Sequence, residues 1–319
     1  MTLASHPDFG NPQKGFYLFG TTPPKGSTDD MQMDEIADKL LERLASVDYD
    51  GLIVYDIQDE SARIDKPRPF PFIGTRDPRE YSALLASKSQ RPIITYKSVS
   101  QRDRASFEQW LDDAWNQYGV RNLVLVGSPS ADADIKLSLP DAYQAMTEHD
   151  YPFSLGGVTI AERHAVKGDE HQRLSGKVDN GCEFFVSQAV YDADATIALL
   201  RQYGELCQSQ GSSPKRIVLT FTPCGSAKTL EFMSWLAISV PAEVASEILE
   251  ADNPLMQSIR TCQQNLERIL DACQALDIPL GLNIESLTNR KDEIDASIRL
   301  FKLLKGTLEE RLHGVTHNL

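Results

Sequence analysis

The feature that most constrains this chain is one unit repeated from end to end. A short β-rich apolar run is followed by a longer segment whose apolar residues fall three and four apart. The strand-like runs are 15–19, 51–55, 92–96, 122–126, 153–160, 184–188, 216–221 and 280–284. Helical patterns follow over 33–45, around 107–115, and over 170–179, 193–209, 229–237, 255–276 and 292–304. In the first of these, Ile36, Leu40, Leu41 and Leu44 share one face. Strands separated by helices pair in parallel through right-handed crossovers. Eight nearly regular units favour closure into an α/β (β/α)8 TIM barrel of one domain over a doubly wound open sheet. The expected organisation is a polar lead-in over 1–14 and a barrel over 15–319, a length normal for such a barrel. The polar stretch holding Pro67, Pro69 and Pro71 cannot be a regular element and reads as a long loop.

Charge and composition narrow the partners. A formal net charge of -14 argues against nucleic acid or an anionic membrane surface, while leaving room for a small ligand. No apolar run approaches the roughly 20 residues of a membrane helix, and the first residues do not read as a signal peptide. A cytoplasmic protein is expected, and a homo-oligomer stays open. Five cysteines without CxxC spacing read as reduced thiols, and the six scattered histidines point to no metal.

A barrel of this type works at the C-terminal ends of its strands. That rule selects Asp56, Asp59 and Glu60 after the second strand, Tyr96 and Lys97 at the third, Gly127 and Ser128 at the fourth, Gln188 at the sixth and Arg290 beyond the eighth. Clustered carboxylates repel, which can raise one pKa and supply a general acid; Asp56 is the member nearest its strand. Asp59 and Glu60 read better as a wet, solvated loop, while for Asp56 the functional and the solvated readings stand level. Lys97 suits a surface charge or phosphate contact better than a Schiff base. Gln188 sits among apolar residues, so its amide needs partners, either a ligand or a structural neighbour. There is no GxGxxG and no GxSxG, and Gly225-Ser-Ala-Lys-Thr lacks the spacing of a phosphate loop.

One block is specific. Lys177-Val-Asp-Asn-Gly-Cys-Glu-Phe-Phe-Val-Ser-Gln188, followed by Tyr191-Asp192, resembles the methylenetetrahydrofolate reductase signature of Lys-Val-Asp-Ala-Gly-Ala-Asp-Phe, two apolar residues and Thr-Gln. Tyr118 to Gly127, Phe16 to Lys25 with its Pro-Pro-Lys, and Leu287-Thr-Asn-Arg290 are similar to other stretches of that family in the same order. The resemblance implies a barrel that binds FAD, takes hydride from NAD(P)H and reduces 5,10-methylenetetrahydrofolate to 5-methyltetrahydrofolate. It implies that Gln188 contacts the folate pterin and that Arg290 contacts substrate. It further places Lys177 and Glu170, with Tyr96, Gly127 and Ser128 at the neighbouring strand ends, on the flavin side.

The departures are as informative. The family carries its general-acid glutamate on strand one, and Phe16 to Pro24 holds no acid. Its Arg-Gly-Asp after strand four is Val126-Gly127-Ser128 here, and its Tyr-Pro…His-Pro after strand five is absent, with His164 out of step. Asp56 is the expected substitute acid. Two other readings stay open: a divergent paralogue with a different one-carbon or pterin reaction, with or without flavin, and a non-catalytic binding subunit.

Overall fold

A computed structural model describes residues 9, 11, 13–61, 65–128 and 134–314. Most of the expected lead-in over 1–14 lies outside the described residues. The elements run β1 (Tyr17–Thr21), α1 (Asp30–Leu44), β2 (Gly51–Val54), α2 (Pro78–Ser89), β3 (Ile93–Ser98), α3 (Arg104–Asn116), β4 (Asn122–Val126) and α4 (Leu139–Thr147). They continue with β5 (Ser154–Thr159), α5 (Ala161–Lys167), α6 (Glu170–Asp179), β6 (Cys182–Ala189), α7 (Ala193–Gln210), β7 (Arg216–Phe221) and α8 (Ala227–Trp235). The chain closes with α9 (Ala242–Glu250), α10 (Pro254–Cys273), β8 (Leu280–Ile284) and α11 (Lys291–Gly314). The strands form one closed barrel in the order β1 to β8, so the protein is a (β/α)8 barrel.

Four helices escape the periodicity reading: α2, α4, α5 and α9. Helix α2 starts at Pro78 directly after the proline-rich loop, where the ring suits the first helical turn and Asp77 accepts from Arg79 N. Helix α5 is seven residues long, too short to show a period, and ends at Gly168 in the left-handed conformation. Strand β1 begins two residues later than expected.

Backbone contacts divide the chain into two compact units. The first holds residues 19–158 and 177–183 among those described. In it, β3 pairs in parallel with β2 and β4, and β4 with β5. All six residues of β3 are buried, and Phe107, Trp110, Leu111 and Ala114 of α3 form one buried stripe. Asp29, Asp77 and Asp103 cap α1, α2 and α3, each accepting from a first-turn amide.

The second unit holds residues 9–18, 159–176 and 184–314 among those described. There β7 pairs with β6 and β8. The β6–β7 register shifts between Val186 and Ala189, an irregularity at the site-bearing end of β6. Phe9 stacks on Phe184 at 4.1 Å and meets Phe16 edge-on at 5.2 Å. At the start of β7 the fully buried Arg216 donates to the carbonyls of Phe9, Asn11, Lys14 and Leu280, tying the segment before β1 to this unit. All five cysteines are buried free thiols; burial pushes Cys224 and Cys262 up to about 12, which keeps them protonated and unreactive.

Candidate functional site

In the first unit, the ends of β2 and β3 hold an ion pair. Lys97 Nζ lies 3.0 Å from Asp56 Oδ2, with the two side chains 9% and 7% exposed. The same oxygen accepts from Ser98 N at 2.8 Å, and Asp56 Oδ1 accepts from Gln58 Nε2 at 2.8 Å. The Lys97 ammonium also lies 5.3 Å from the Trp110 ring centre. Lys97 is therefore neither a surface charge nor a free amine. Tyr96 is buried and meets Tyr55 edge-on at 4.8 Å. Asp59 is an exposed turn residue whose carboxyl is held low by Ser61 Oγ and N. Gly127 and Ser128 are half-buried at the end of β4, and a Cβ at Gly127 would come 3.4 Å from Leu139. Lys177, on α6, donates from its ammonium to the carbonyl of Val158, the penultimate residue of β5.

In the second unit, Gln188 at the end of β6 donates Nε2 to Leu236 O at 2.7 Å. The bulge beside it is closed by Ser187, whose Oγ donates to Gln188 O and accepts from Thr220 N. Glu170 is fully buried in the first turn of α6. It accepts from Ile160 N at 3.1 Å and lies 3.2 Å from Arg163 Nη1, so it braces the entry into α5. Arg290 is exposed and pairs with Asp292 at 3.0 Å, which raises it further. Its loop is organised from below by buried Glu293, which accepts from Gly225 N, Thr229 Oγ1 and Thr288 Oγ1.

The strand-end rule passes over Glu162, because α5 is invisible to periodicity. Glu162 follows β5 by three residues and accepts Ser239 N at 3.2 Å. Burial raises its pKa, and the nearby Asp192 adds to the rise. A small cavity of about 10 Å³, room for one water, is lined by Glu162 and Gln188 together with Thr196, Leu199 and Leu219. It is too small to hold a cofactor. His164 is buried and meets His171 edge-on at 5.4 Å, on the α5–α6 side rather than at a strand end.

A parallel α/β barrel carries its working groups at the C-terminal strand ends, where the first unit holds Asp56 and Lys97 and the second holds Gln188. The methylenetetrahydrofolate reductase family profile matches residues 150–288, the stretch from before β5 to the loop after β8. An uncharacterized protein of Clostridium thermocellum that binds two copies of 5-methyl-5,6,7,8-tetrahydrofolic acid is 34% identical, over 92% of this chain and 96% of its own, with a TM-score of 0.79. The chain belongs to the methylenetetrahydrofolate reductase family. The oxygenating constituent of 3,6-diketocamphane monooxygenase from Pseudomonas putida, in complex with FMN, shares the fold at 11% identity, over 90% of this chain and 96% of its own, with a TM-score of 0.57. No curated protein sequence matches the chain. Among the described residues no helix is long and apolar enough to cross a membrane.

Proposed function

We propose that this protein binds a reduced, one-carbon-bearing folate and acts in one-carbon folate metabolism. The observation that carries the reading is the relative that binds 5-methyltetrahydrofolate at 34% identity along nearly the whole chain. Gln188 supports it from the structure: a glutamine at the end of β6, inside the family-matched stretch, with its amide anchored to Leu236 O. The reaction to assay first is the family's own, reduction of 5,10-methylenetetrahydrofolate to 5-methyltetrahydrofolate with FAD and NAD(P)H. When bound, the flavin would carry the hydride from the nicotinamide to the folate.

A second reading has its own observations. The residues that the resemblance assigns to the flavin fit it poorly. Lys177 spends its ammonium on Val158 O, and Glu170 is wholly buried against Arg163 and Ile160 N. Strand β1 carries no carboxyl, and Asp56, the expected substitute acid, has both oxygens taken by Lys97, Ser98 and Gln58. These contacts favour a flavin-free pterin reaction or a folate-carrying role.

An ultraviolet-visible spectrum after incubation with FAD and desalting separates the two readings. Retained flavin that NADH or NADPH bleaches without air, with 5-methyltetrahydrofolate formed, supports the reductase. A colourless protein that still binds 5-methyltetrahydrofolate by calorimetry supports the second reading. A protein that binds neither refutes the folate assignment.

A further inference from the structure

Three donors converge on one buried carboxyl group beyond the ends of β7 and β8. Glu293, in the first turn of α11, is completely buried. Its Oε1 accepts from Gly225 N at 3.1 Å, in the turn after β7, and from Thr229 Oγ1 at 2.7 Å, in the first turn of α8. Its Oε2 accepts from Thr288 Oγ1, in the loop after β8. Thr288 Oγ1 in turn accepts from Arg290 N at 3.3 Å. Gly225 permits the close approach, because a Cβ there would stand 3.2 Å from Glu293 Oε1 and 2.9 Å from Leu255. Ser226 caps α8 by accepting from Thr229 N at 3.2 Å. The stretch Gly225-Ser-Ala-Lys-Thr thus has the glycine, the helix start and the hydroxyls of a phosphate loop without its spacing.

In α/β barrels the loops after strands seven and eight, with the N-terminus of a short helix, form a recurrent seat for a ligand's phosphate. Backbone N–H groups point into it, and the helix dipole favours negative charge. We propose that Glu293 fills this seat from within. Its carboxylate takes the donors that a ligand's phosphate would take, closes the seat to phosphate-bearing ligands, and ties the two loops together. This selectivity goes beyond the folate reading and does not depend on it. The donor set carries the inference: one backbone N–H and two hydroxyls surround a wholly buried carboxylate, as they would surround phosphate oxygens. The proton order agrees. Thr229 gives its O–H to Glu293, so Ser226 gives its own to Thr229 Oγ1 at 2.9 Å. The O–H groups of Ser226, Thr229 and Thr288 therefore all run toward the carboxylate. A phosphate arriving here would meet like charge in a site shut off from water, with the donors already engaged.

The experiment follows the thermal midpoint of the full-length protein and of Glu293→Ala while inorganic phosphate is titrated. Sodium chloride at matched ionic strength is the control, and acetate is a second anion. Truncation removes the carboxymethyl group and frees its three donors. The wild type should respond to phosphate no more than to chloride. Glu293→Ala should start lower and regain roughly 4 °C once phosphate reaches about a hundredfold excess over its Kd. A wild type that phosphate stabilises as much as the variant overturns the inference, since Glu293 then closes nothing. A variant that acetate stabilises and phosphate does not also overturns it, because the pocket is then shaped for a carboxylate alone. A variant indifferent to both anions overturns it as well. Should Glu293→Ala fail to fold in chloride, native circular dichroism regained in phosphate supports the inference, and none regained overturns it.

Discussion

Asp56→Asn tests whether the ion pair at the ends of β2 and β3 is architecture. The substitution keeps shape and an acceptor oxygen. That oxygen can still take Ser98 N and Lys97 Nζ, and Gln58 can turn its own amide to meet the new NH2 group. What is lost is the charge opposite Lys97, whose side chain is only 9% exposed. Removing one partner of a buried pair costs about 3–5 kcal/mol, because the other charge stays buried without compensation. With the neutral hydrogen bonds retained, the lower end applies, about 3 kcal/mol. A chain of 319 residues unfolds with an entropy of roughly 0.7 kcal/mol per kelvin, so the midpoint should fall by roughly 4–5 °C. The assay is thermal unfolding by circular dichroism at one scan rate, since a chain this large can unfold irreversibly. Adding Lys97→Met to Asp56→Asn should recover much of the loss, because the stranded charge is gone. A midpoint within about 1 °C of the wild type, or a double variant that loses the plain sum of the two single losses, refutes the reasoning. If the midpoint holds while folate turnover collapses at unchanged folate affinity, Asp56 acts in chemistry rather than in the framework.

Three further outcomes follow from local geometry. Gly281→Ala places a methyl 2.7 Å from Phe16 O and 3.3 Å from Val218, where β8 meets the residue before β1, so chemical denaturation should show roughly 1–3 kcal/mol lost. Ala237→Gly relieves the left-handed strain at φ 61 and should stabilise by about 0.5–1 kcal/mol in the same assay, where a loss would contradict the strain. Glu162 has its folded pKa raised by burial and by Asp192, so the unfolded chain gives up this proton first as pH rises. Stability therefore drains away from the ordinary glutamate pKa up to the raised one. Glu162→Gln should gain on the wild type between pH 4 and pH 7, as read from urea midpoints at both, and a gap independent of pH would contradict the shift.

The architecture was legible because it is written in local pattern. Four strands, at 122–126, 216–221, 280–284 and in the core of 153–160, appear where the apolar runs sit, and α6 runs over the expected residues 170–179. The family block around Gln188 was equally readable, because a motif keeps its order and spacing in the chain. The elements that stayed hidden were α2, α4, α5 and α9. Helix α5 is too short for a hydrophobic period, and α2 is masked by the prolines ahead of it.

What the chain alone determined is therefore its class, an eight-strand parallel barrel of the methylenetetrahydrofolate reductase family, together with the strand ends where chemistry belongs. Only tertiary structure decided which strand-end residues are occupied. Lys97 and Asp56 are 41 residues apart, and neither shows in the sequence that it answers the other. Glu170 reads as a ligand contact until it is found wholly buried against Arg163 and Ile160 N. Glu162 reads as one more helix-surface acid until Ser239, 77 residues on, reaches it. Periodicity and motif record which face of an element is apolar and which residues come in order. A charge or amide is satisfied through space, by partners that only folding brings near, so the state of each polar group belongs to the fold.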